Sequence, residues 1–223
     1  MSSVATEPRP QTRRALARET RQEGIRFLFG LVALMWVVQV INSLDSYRLD
    51  QDGIRPRNVD HLWGILTAPF LHASWWHLIS NTIPLVFMGL IIALRGAARL
   101  ALVTLIVVVV GGLGTWLAAP SHSASGQSLT TVGASGVVFG YAAYLLARGF
   151  FDRSLRQLLV GAAVLVLWGG VLLVSLLPEP GVSWQGHLFG AVGGVVAAWW
   201  LSERRAGRGS GVARRQGARA VAK

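Results

Sequence analysis

A serine and a histidine each stand at the start of an apolar segment of this chain, and both have glycines nearby. Ser135 lies in a Gly-Ala-Ser-Gly sequence that starts at Gly133, and His187 is followed by Gly190 and Gly194. A histidine can take the proton of a serine hydroxyl and so activate it as a nucleophile. Few other roles justify burying this pair at membrane depth. We therefore take Ser135 and His187 as a candidate nucleophile and general base.

Two further polar residues, His77 and Asn81, begin another apolar segment. They are four residues apart and therefore share one helix face. They are placed either to donate hydrogen bonds to the oxyanion that forms when a serine attacks a carbonyl, or simply to bond the adjoining loop. No third histidine, cysteine or intramembrane carboxylate completes a metal site with His77 and His187. We therefore expect neither a metal nor another cofactor.

The glycines near the candidate nucleophile and base allow two interpretations, which can both hold. Small residues at helical spacing let two membrane helices approach closely. A serine at a helix N-terminus also lies beside free backbone N–H groups and the positive end of the helix dipole, which stabilise an oxyanion. The residues assigned to packing around the site are Gly133, Gly136, Phe139, Gly190 and Gly194.

The composition is that of a membrane protein. Of the 223 residues, 52% are hydrophobic and 14% charged, against about 25% charged in a typical soluble domain. The net charge of +11 lies in two tails and short loops, without a basic face interleaved with aromatics, which argues against a nucleic-acid partner. The chain has no cysteine, which excludes disulfides and thiolate chemistry.

The hydropathy pattern predicts an all-α protein with six transmembrane helices in one domain, 25–202. Residues 1–24 and 203–223 are basic, and we expect them to be cytoplasmic tails, the first of them disordered. The predicted spans are 25–43, 75–94, 98–118, 135–149, 156–177 and 184–202.

The placement of positive charge predicts that both termini lie inside. With that topology, all but Arg48, Arg55 and Arg57 of the 21 lysines and arginines fall on the inner side. The distribution follows the positive-inside rule at every inner loop. Spans two, four and six then all start at the outer face, which brings His77, Ser135 and His187 to the same side.

The same topology places two unusual loops outside. Residues 44–74 are rich in aromatics and are predicted to pack at the membrane interface. Residues 119–134 are uncharged, and the span after them, 135–149, covers only about 22 Å of a roughly 30 Å hydrocarbon core. We therefore expect Ser135 to lie below the outer surface. Because no predicted span contains Asp or Glu, the site is expected to be a Ser-His dyad, with Phe139 stacking on the imidazole.

Taken together, the motifs resemble those of the rhomboid intramembrane serine proteases. The matching features are Gly-x-Ser-Gly around Ser135, His187 followed by Gly-x-x-x-Gly, and His77-x-x-x-Asn81 preceded by Phe-Leu-His, in that family's order across 25–202. The resemblance implies a six-helix rhomboid-like bundle with Ser135 as nucleophile and His187 as general base. It also implies His77, Asn81 and the Ser135 amide as oxyanion donors.

The resemblance carries further expectations. It implies that the fifth span is a lateral gate, that the 44–74 loop lies half in the outer leaflet, and that substrates are transmembrane helices cleaved near their outer end at small, helix-destabilised positions. The chain departs from the family in two places. Gly64 follows Trp63 where relatives often have arginine, and Phe139 replaces a frequent tyrosine.

Two other functions remain open at this point. One is a catalytically silent rhomboid-like protein that binds membrane clients, although such relatives usually lack the serine or histidine. The other is a small transporter or channel, which the absence of inverted repeats and intramembrane charges disfavours. The expected partners are the lipid bilayer and transmembrane-protein substrates. The Arg-, Gly- and Ala-rich tails suggest a bacterial plasma membrane. The sequence does not predict an oligomeric state.

Overall fold

The computed structural model describes residues 10–179 and 181–202, and the regular elements of those residues are helices apart from two isolated β-bridges. The predicted all-α membrane fold is confirmed. The tail predicted at 203–223 and the start of the other tail lie outside the described residues. The α-helices are α1 Pro10–Leu44, α2 Gly64–Thr67, α3 Trp75–Ala93, α4 Ala97–Ala118, α5 Ser135–Asp152, α6 Leu155–Val174 and α7 Trp184–Trp200.

Four of the described helices, α1, α3, α4 and α6, are long and apolar enough to cross a membrane on their own. The other two long helices are α7, which has 17 residues, and α5, which carries two charged residues and two tyrosines. The count of six spans and the inner location of both termini stay predictions.

Helix α1 begins at Pro10, well before the predicted start at residue 25. Residues 10–24, which the sequence analysis placed in a disordered tail, are therefore helical. Proline is favoured at the first helical position, and the Ala, Arg, Glu and Gln residues that follow are good helix formers. The extension also packs on the turn between α3 and α4, since a Cβ on Gly24 would lie only 2.1 Å from the carbonyl oxygen of Ala93.

Helices α5 and α7 interlock through glycines, backbone against backbone. A Cβ on Gly190 would lie 2.2 Å from the carbonyl oxygen of Gly136, and one on Gly194 would lie 2.0 Å from that of Gly140. Real side chains cannot approach so closely, so these positions require glycine. The contact fixes the relative position of α5 and α7 along their lengths.

The far end of α5 differs from the prediction, which ended this span at residue 149. Arg148 is buried inside the helix, where its guanidinium pairs with the Asp152 carboxylate at 3.1 Å and donates to the Tyr144 hydroxyl at 3.0 Å. A charge paired in this way can remain within a helix. At 18 residues, α5 is about 27 Å long, so helix length no longer argues that Ser135 lies below the surface.

The loop between α1 and α3 is largely ordered into short helices and is tied to the end of α4 by Arg57. The Arg57 guanidinium donates to the carbonyl oxygens of Leu117 and Ala119 at 3.1 and 2.8 Å and to the hydroxyl of Ser121 at 2.8 Å. Several apolar side chains of this loop are exposed, as expected for a segment at a membrane interface. They are Val59, Leu62, Trp63 and Leu66.

The structure explains why arginine is missing after Trp63. A Cβ on Gly64 would lie 2.2 Å from the carbonyl oxygen of Gly53, so no larger residue fits there. The guanidinium that ties this loop to the end of α4 belongs to Arg57, further back in the same loop.

The loop from 119 to 134 leads the chain back into the bundle just before Ser135. Ile54 and Thr131 exchange backbone hydrogen bonds of 2.9 Å, and the N–H of Gly133 donates to the carbonyl of Ala68 at 2.9 Å. The start of α5 is thereby held against the loop between α1 and α3.

Candidate active site

Ser135 and His187 meet at the end of the bundle where α3, α5 and α7 begin, which we call the site end. Ser135 is the first residue of α5, and its hydroxyl oxygen lies 2.9 Å from Nε2 of His187, in the first turn of α7. This contact follows from the close approach of the two helices, since a Cβ on Gly136 would lie 3.1 Å from the carbonyl oxygen of Gly186. The structure thus brings together the two residues that the sequence singled out.

The imidazole of His187 is held on its other edge and on one face. Its Nδ1 lies 2.7 Å from the main-chain carbonyl oxygen of Ser175, which follows α6, and its ring stacks on Phe139 with 4.3 Å between centroids and 5° between planes. A carbonyl can only accept, so Nδ1 carries the proton and Nε2 is free to accept the hydrogen of the Ser135 hydroxyl. The role of Ser175 was not predicted, because a main-chain carbonyl leaves no signature in the sequence.

His77 and Asn81 lie beside the backbone that leads into Ser135. Gly133 has a φ of +117°, and a Cβ there would meet the His77 ring at 2.6 Å and the Asn81 amide nitrogen at 3.6 Å. The Asn81 Nδ2 is buried and has no hydrogen-bond partner among the described residues. A buried donor without an acceptor is unfavourable in the resting protein and is available to a ligand in the cavity.

His72 binds the backbone just before Ser135, a role that was not predicted from the sequence. It is fully buried, its ring contacts that of His77 with 5.1 Å between centroids, and its Nε2 accepts the N–H of Ala134 at 3.3 Å. Burial, with a smaller contribution from His77, lowers the pKa of His72 to about 3. His72 is therefore neutral at physiological pH, as its acceptor role requires.

Ser135, His187, His77 and Asn81 line a cavity of about 360 Å³ at the site end. The N–H groups in the first turn of α5, including that of Ser135, have no acceptor within the helix. Helices α3, α4, α5, α6 and α7 contribute to its walls, which are mostly apolar. The polar side chains on the walls are those of His77, Ser80, Asn81, Thr115, Thr131, Ser135, Ser175, Ser183 and His187.

The fold and the site define an all-α, multi-pass integral membrane protein with a serine–histidine hydrogen bond in a cavity between its helices. A family model described as the Rhomboid domain matches residues 59–204, which is more than half of the chain. The chain therefore belongs to the rhomboid family.

Individual relatives agree with the family match. An uncharacterized protein of Mycobacterium tuberculosis is 45% identical over 204 residues, which cover 89% of this chain and 85% of that protein. Rhomboid-like protein 11 of Arabidopsis thaliana is 33% identical over 62% of this chain and 52% of its own length. Rhomboid protease GluP of Bacillus subtilis is 28% identical over 65% of this chain and 27% of its own length. A bacterial plasma membrane fits the mycobacterial relatives.

Proposed function

We propose that this protein is an intramembrane serine endopeptidase that hydrolyses peptide bonds of transmembrane substrates near the outer face of the membrane. The observation that carries the proposal is the 2.9 Å contact between the Ser135 hydroxyl and His187 Nε2 within a cavity. Membership of the rhomboid family and the similarity to a rhomboid protease support it.

In the proposed reaction, His187 Nε2 takes the proton of the Ser135 hydroxyl while the serine oxygen attacks the scissile carbonyl carbon. The resulting oxyanion is stabilised by His77, the Asn81 amide and the N–H of Ser135. The tetrahedral intermediate expels the amine, which receives the proton from His187, and leaves an acyl ester on Ser135. Water then attacks the ester with His187 again as base, which releases the acid and restores the serine.

The substrate helix must unwind locally before it reacts. A peptide bond inside a regular helix has its carbonyl hydrogen-bonded and shielded, while an extended segment can enter the cavity and find new partners there. We therefore expect helix-breaking residues near the scissile bond to accelerate cleavage. Cleavage that is indifferent to them would contradict this part of the proposal.

The decisive experiment is labelling with a fluorophosphonate probe, together with cleavage of a model transmembrane substrate in liposomes. Wild-type protein should react at Ser135, while Ser135→Ala and His187→Ala should lose both labelling and cleavage but remain folded. Ser80→Ala is the matched control, because this serine lines the same cavity but donates to the main-chain carbonyl of His77 at 3.0 Å. It should keep both activities.

Removal of an oxyanion donor is a second, quantitative test. His77→Ala and Asn81→Ala should each reduce kcat by about 10²-fold, with a much smaller effect on KM, because such donors act mainly in the transition state. If folded wild-type protein does not label at all, the alternative of a silent rhomboid-like protein that binds membrane clients is favoured.

A further inference from the structure

Helix α1 is much longer than a membrane crossing requires. Its 35 residues span about 52 Å, whereas the hydrocarbon core of a bilayer is about 30 Å thick. Its C-terminal half lies at the site end, because Trp36 contacts Trp75, the first residue of α3, with 6.1 Å between ring centroids. The apolar sequence of α1 starts at Ile25. Residues 10–24 therefore project from the opposite end of the bundle, on the side predicted to be cytoplasmic.

The projecting segment is braced where it leaves the bundle. A Cβ on Gly24 would lie 2.1 Å from the carbonyl oxygen of Ala93, and one on Gly96 would lie 2.6 Å from Cγ2 of Thr20. This part of α1 thus packs on the turn between α3 and α4, which fixes its direction. The residues from 14 to 23 are nevertheless all exposed, so their charged side chains are open to solvent.

The charges on this segment are sorted by sign. Arg14, Arg18 and Arg21 are spaced by four and three residues and share one side of the helix, which we call the basic stripe. Glu19 and Glu23 are four residues apart and form an acidic stripe on another side. Among the described residues, no ion pair involves the three arginines.

This sorting is unfavourable for the helix by itself. A solvated helix gains stability from opposite charges four residues apart and loses a similar amount from like charges at that spacing. Arg14 with Arg18 and Glu19 with Glu23 are both like-charge pairs. An anionic partner on the basic stripe would relieve the repulsion between its arginines.

The two stripes continue different faces of the membrane-spanning part of α1. Residues seven apart drift by only about 20° around a helix. Arg21 therefore continues the line of Leu28 and Met35, which are buried in the bundle, while Glu23 continues the line of Val37, which is 55% exposed. The basic stripe faces the space beneath the bundle, and the acidic stripe lies on the lipid-facing side.

This placement argues against anionic lipids as the ligand. Headgroups around α1 would meet the acidic stripe first. Arg18 and Arg14 also lie about 10 and 16 Å further along the helix than Ile25, beyond the Debye length of about 8 Å at physiological ionic strength.

The chain itself does not supply the anion either. Residues 203–223 carry seven basic residues and one acidic residue, so they repel the basic stripe. A second copy could reach the stripe only by placing its α1 beneath this bundle, which the membrane-spanning part of the same helix prevents. Nucleic acid fits poorly, because the stripe has no aromatic side chain on which a base could stack.

We propose that the basic stripe is a docking site for an acidic peptide segment of a partner protein on the side of the membrane opposite Ser135. Guanidinium groups pair with carboxylates through two parallel hydrogen bonds, and the stripe presents three of them along about 10 Å of helix. The site lies outside the catalytic cavity and goes beyond the proposed function, since docking requires neither Ser135 nor His187.

The direct test measures binding of a fluorescein-labelled peptide of twelve residues, alternating glutamate and glycine, to the full-length protein in nanodiscs of neutral lipid. Replacing Arg14, Arg18 and Arg21 together by glutamine should weaken binding about tenfold, equivalent to about 1.4 kcal/mol. The matched control is Arg26→Gln with Arg153→Gln and Arg156→Gln, which removes three exposed charges from the same end of the bundle. It should weaken binding less than about threefold. Equal losses in the two triple variants would overturn the proposal.

A charge-neutral variant separates the pattern of charges from their sum. Arg18→Glu combined with Glu19→Arg keeps the net charge at +11 but divides the basic stripe and places opposite charges four residues apart. The helix should be at least as stable as in wild type, and the thermal midpoint in detergent should not fall. Binding should nevertheless drop about as far as in the Arg14, Arg18 and Arg21 variant. Unchanged binding would mean that net charge alone attracts the peptide, which contradicts a docking site.

Two further probes examine the other sources of negative charge, a single-stranded RNA of twelve nucleotides and vesicles that contain phosphatidylglycerol. Loss of the basic stripe should affect their binding no more than the control variant does. If it weakens RNA or vesicle binding while peptide binding is kept, the acidic-peptide proposal is wrong. None of these measurements involves cleavage, so a negative result would leave the proposed protease function unchanged.

Discussion

Helices α7 and α6 flank α5, yet they are attached to it in very different ways. Helix α7 meets α5 through backbone contacts at Gly190 and Gly194, which leave no room even for a methyl group. Helix α6 has such contacts only in its first half, and its second half is largely exposed. Ser135 and His187, the proposed nucleophile and base, lie on the interlocked pair, whereas the carbonyl that accepts from the His187 ring belongs to Ser175, just after the second half of α6.

The two kinds of attachment suit two requirements of the proposed reaction, a fixed serine–histidine geometry and an entrance for the substrate. A serine–histidine hydrogen bond tolerates only small changes in distance, so the two side chains require rigid supports. A transmembrane substrate needs an opening between helices, so one wall of the cavity has to be weakly packed. Under the proposed function, the α5–α7 pair meets the first requirement, and the wall formed by α6 is the candidate for the second.

The largest effect is expected from a methyl group placed between α5 and α7. Gly194→Ala puts a Cβ 2.0 Å from the carbonyl oxygen of Gly140, and the helices must separate or shift. Overpacking of this kind destabilises by about 1–3 kcal/mol. Because the shift is transmitted to the serine–histidine contact, we expect cleavage to fall by at least about 10²-fold. Two quantities should be measured, the cleavage of a model transmembrane substrate and the thermal midpoint in detergent. Unchanged cleavage would show that the glycine contacts between α5 and α7 are not needed to align Ser135 with His187.

The structure brings together the four side chains that the sequence singled out, and their catalytic roles stay predictions. Ser135, His187, His77 and Asn81 gather at one end of the bundle, and the helical class follows from hydropathy. Features made by the backbone were missed, above all the Ser175 carbonyl. The extension of α1 and the burial of Arg148 were also missed, because both depend on partners distant in the sequence or on the following helical turn.

A second prediction concerns the backbone behind the nucleophile. His72 has a pKa of about 3 in the folded protein against 6.5 for an ordinary histidine, mainly because of burial. The unfolded chain therefore binds a proton at a higher pH than the folded protein, and stability contributed by neutral His72 is lost as pH falls from 6.5 towards 3. The expected slope is up to about 1.4 kcal/mol per pH unit.

The matched variant for this acid effect is His72→Gln. Glutamine can still accept the N–H of Ala134 but does not titrate, so its unfolding free energy should depend less steeply on pH in that window. Thermal or denaturant unfolding in detergent at several pH values gives the slopes. Parallel slopes for the two proteins would mean that His72 is not the group responsible.

A smaller effect is expected from Phe139→Ala, which removes the ring stacked on His187 but leaves both hydrogen bonds of the imidazole. Aromatic stacking of this geometry contributes about 0.5–1.5 kcal/mol, so kcat should fall by about twofold to tenfold. Phe139→Leu keeps an apolar side chain without the flat face and should fall between alanine and wild type. A loss as large as that of His187→Ala would indicate that the ring is needed for folding rather than for orientation.

The smallest effect tests the other side of the comparison. Gly170 lies in the second half of α6, and a Cβ there would meet nothing within 4 Å. Gly170→Ala therefore creates no clash. Alanine is favoured over glycine within a helix by up to about 1 kcal/mol, and the stability of the protein should therefore stay constant or rise slightly. The same methyl group that is harmful at Gly194 is thus tolerated at Gly170, which we expect to see as a lowered thermal midpoint for Gly194→Ala and an unchanged or slightly raised one for Gly170→Ala. If Gly170→Ala destabilises as much as Gly194→Ala, α6 is packed against the bundle along its whole length, and the contrast between α6 and α7 does not hold.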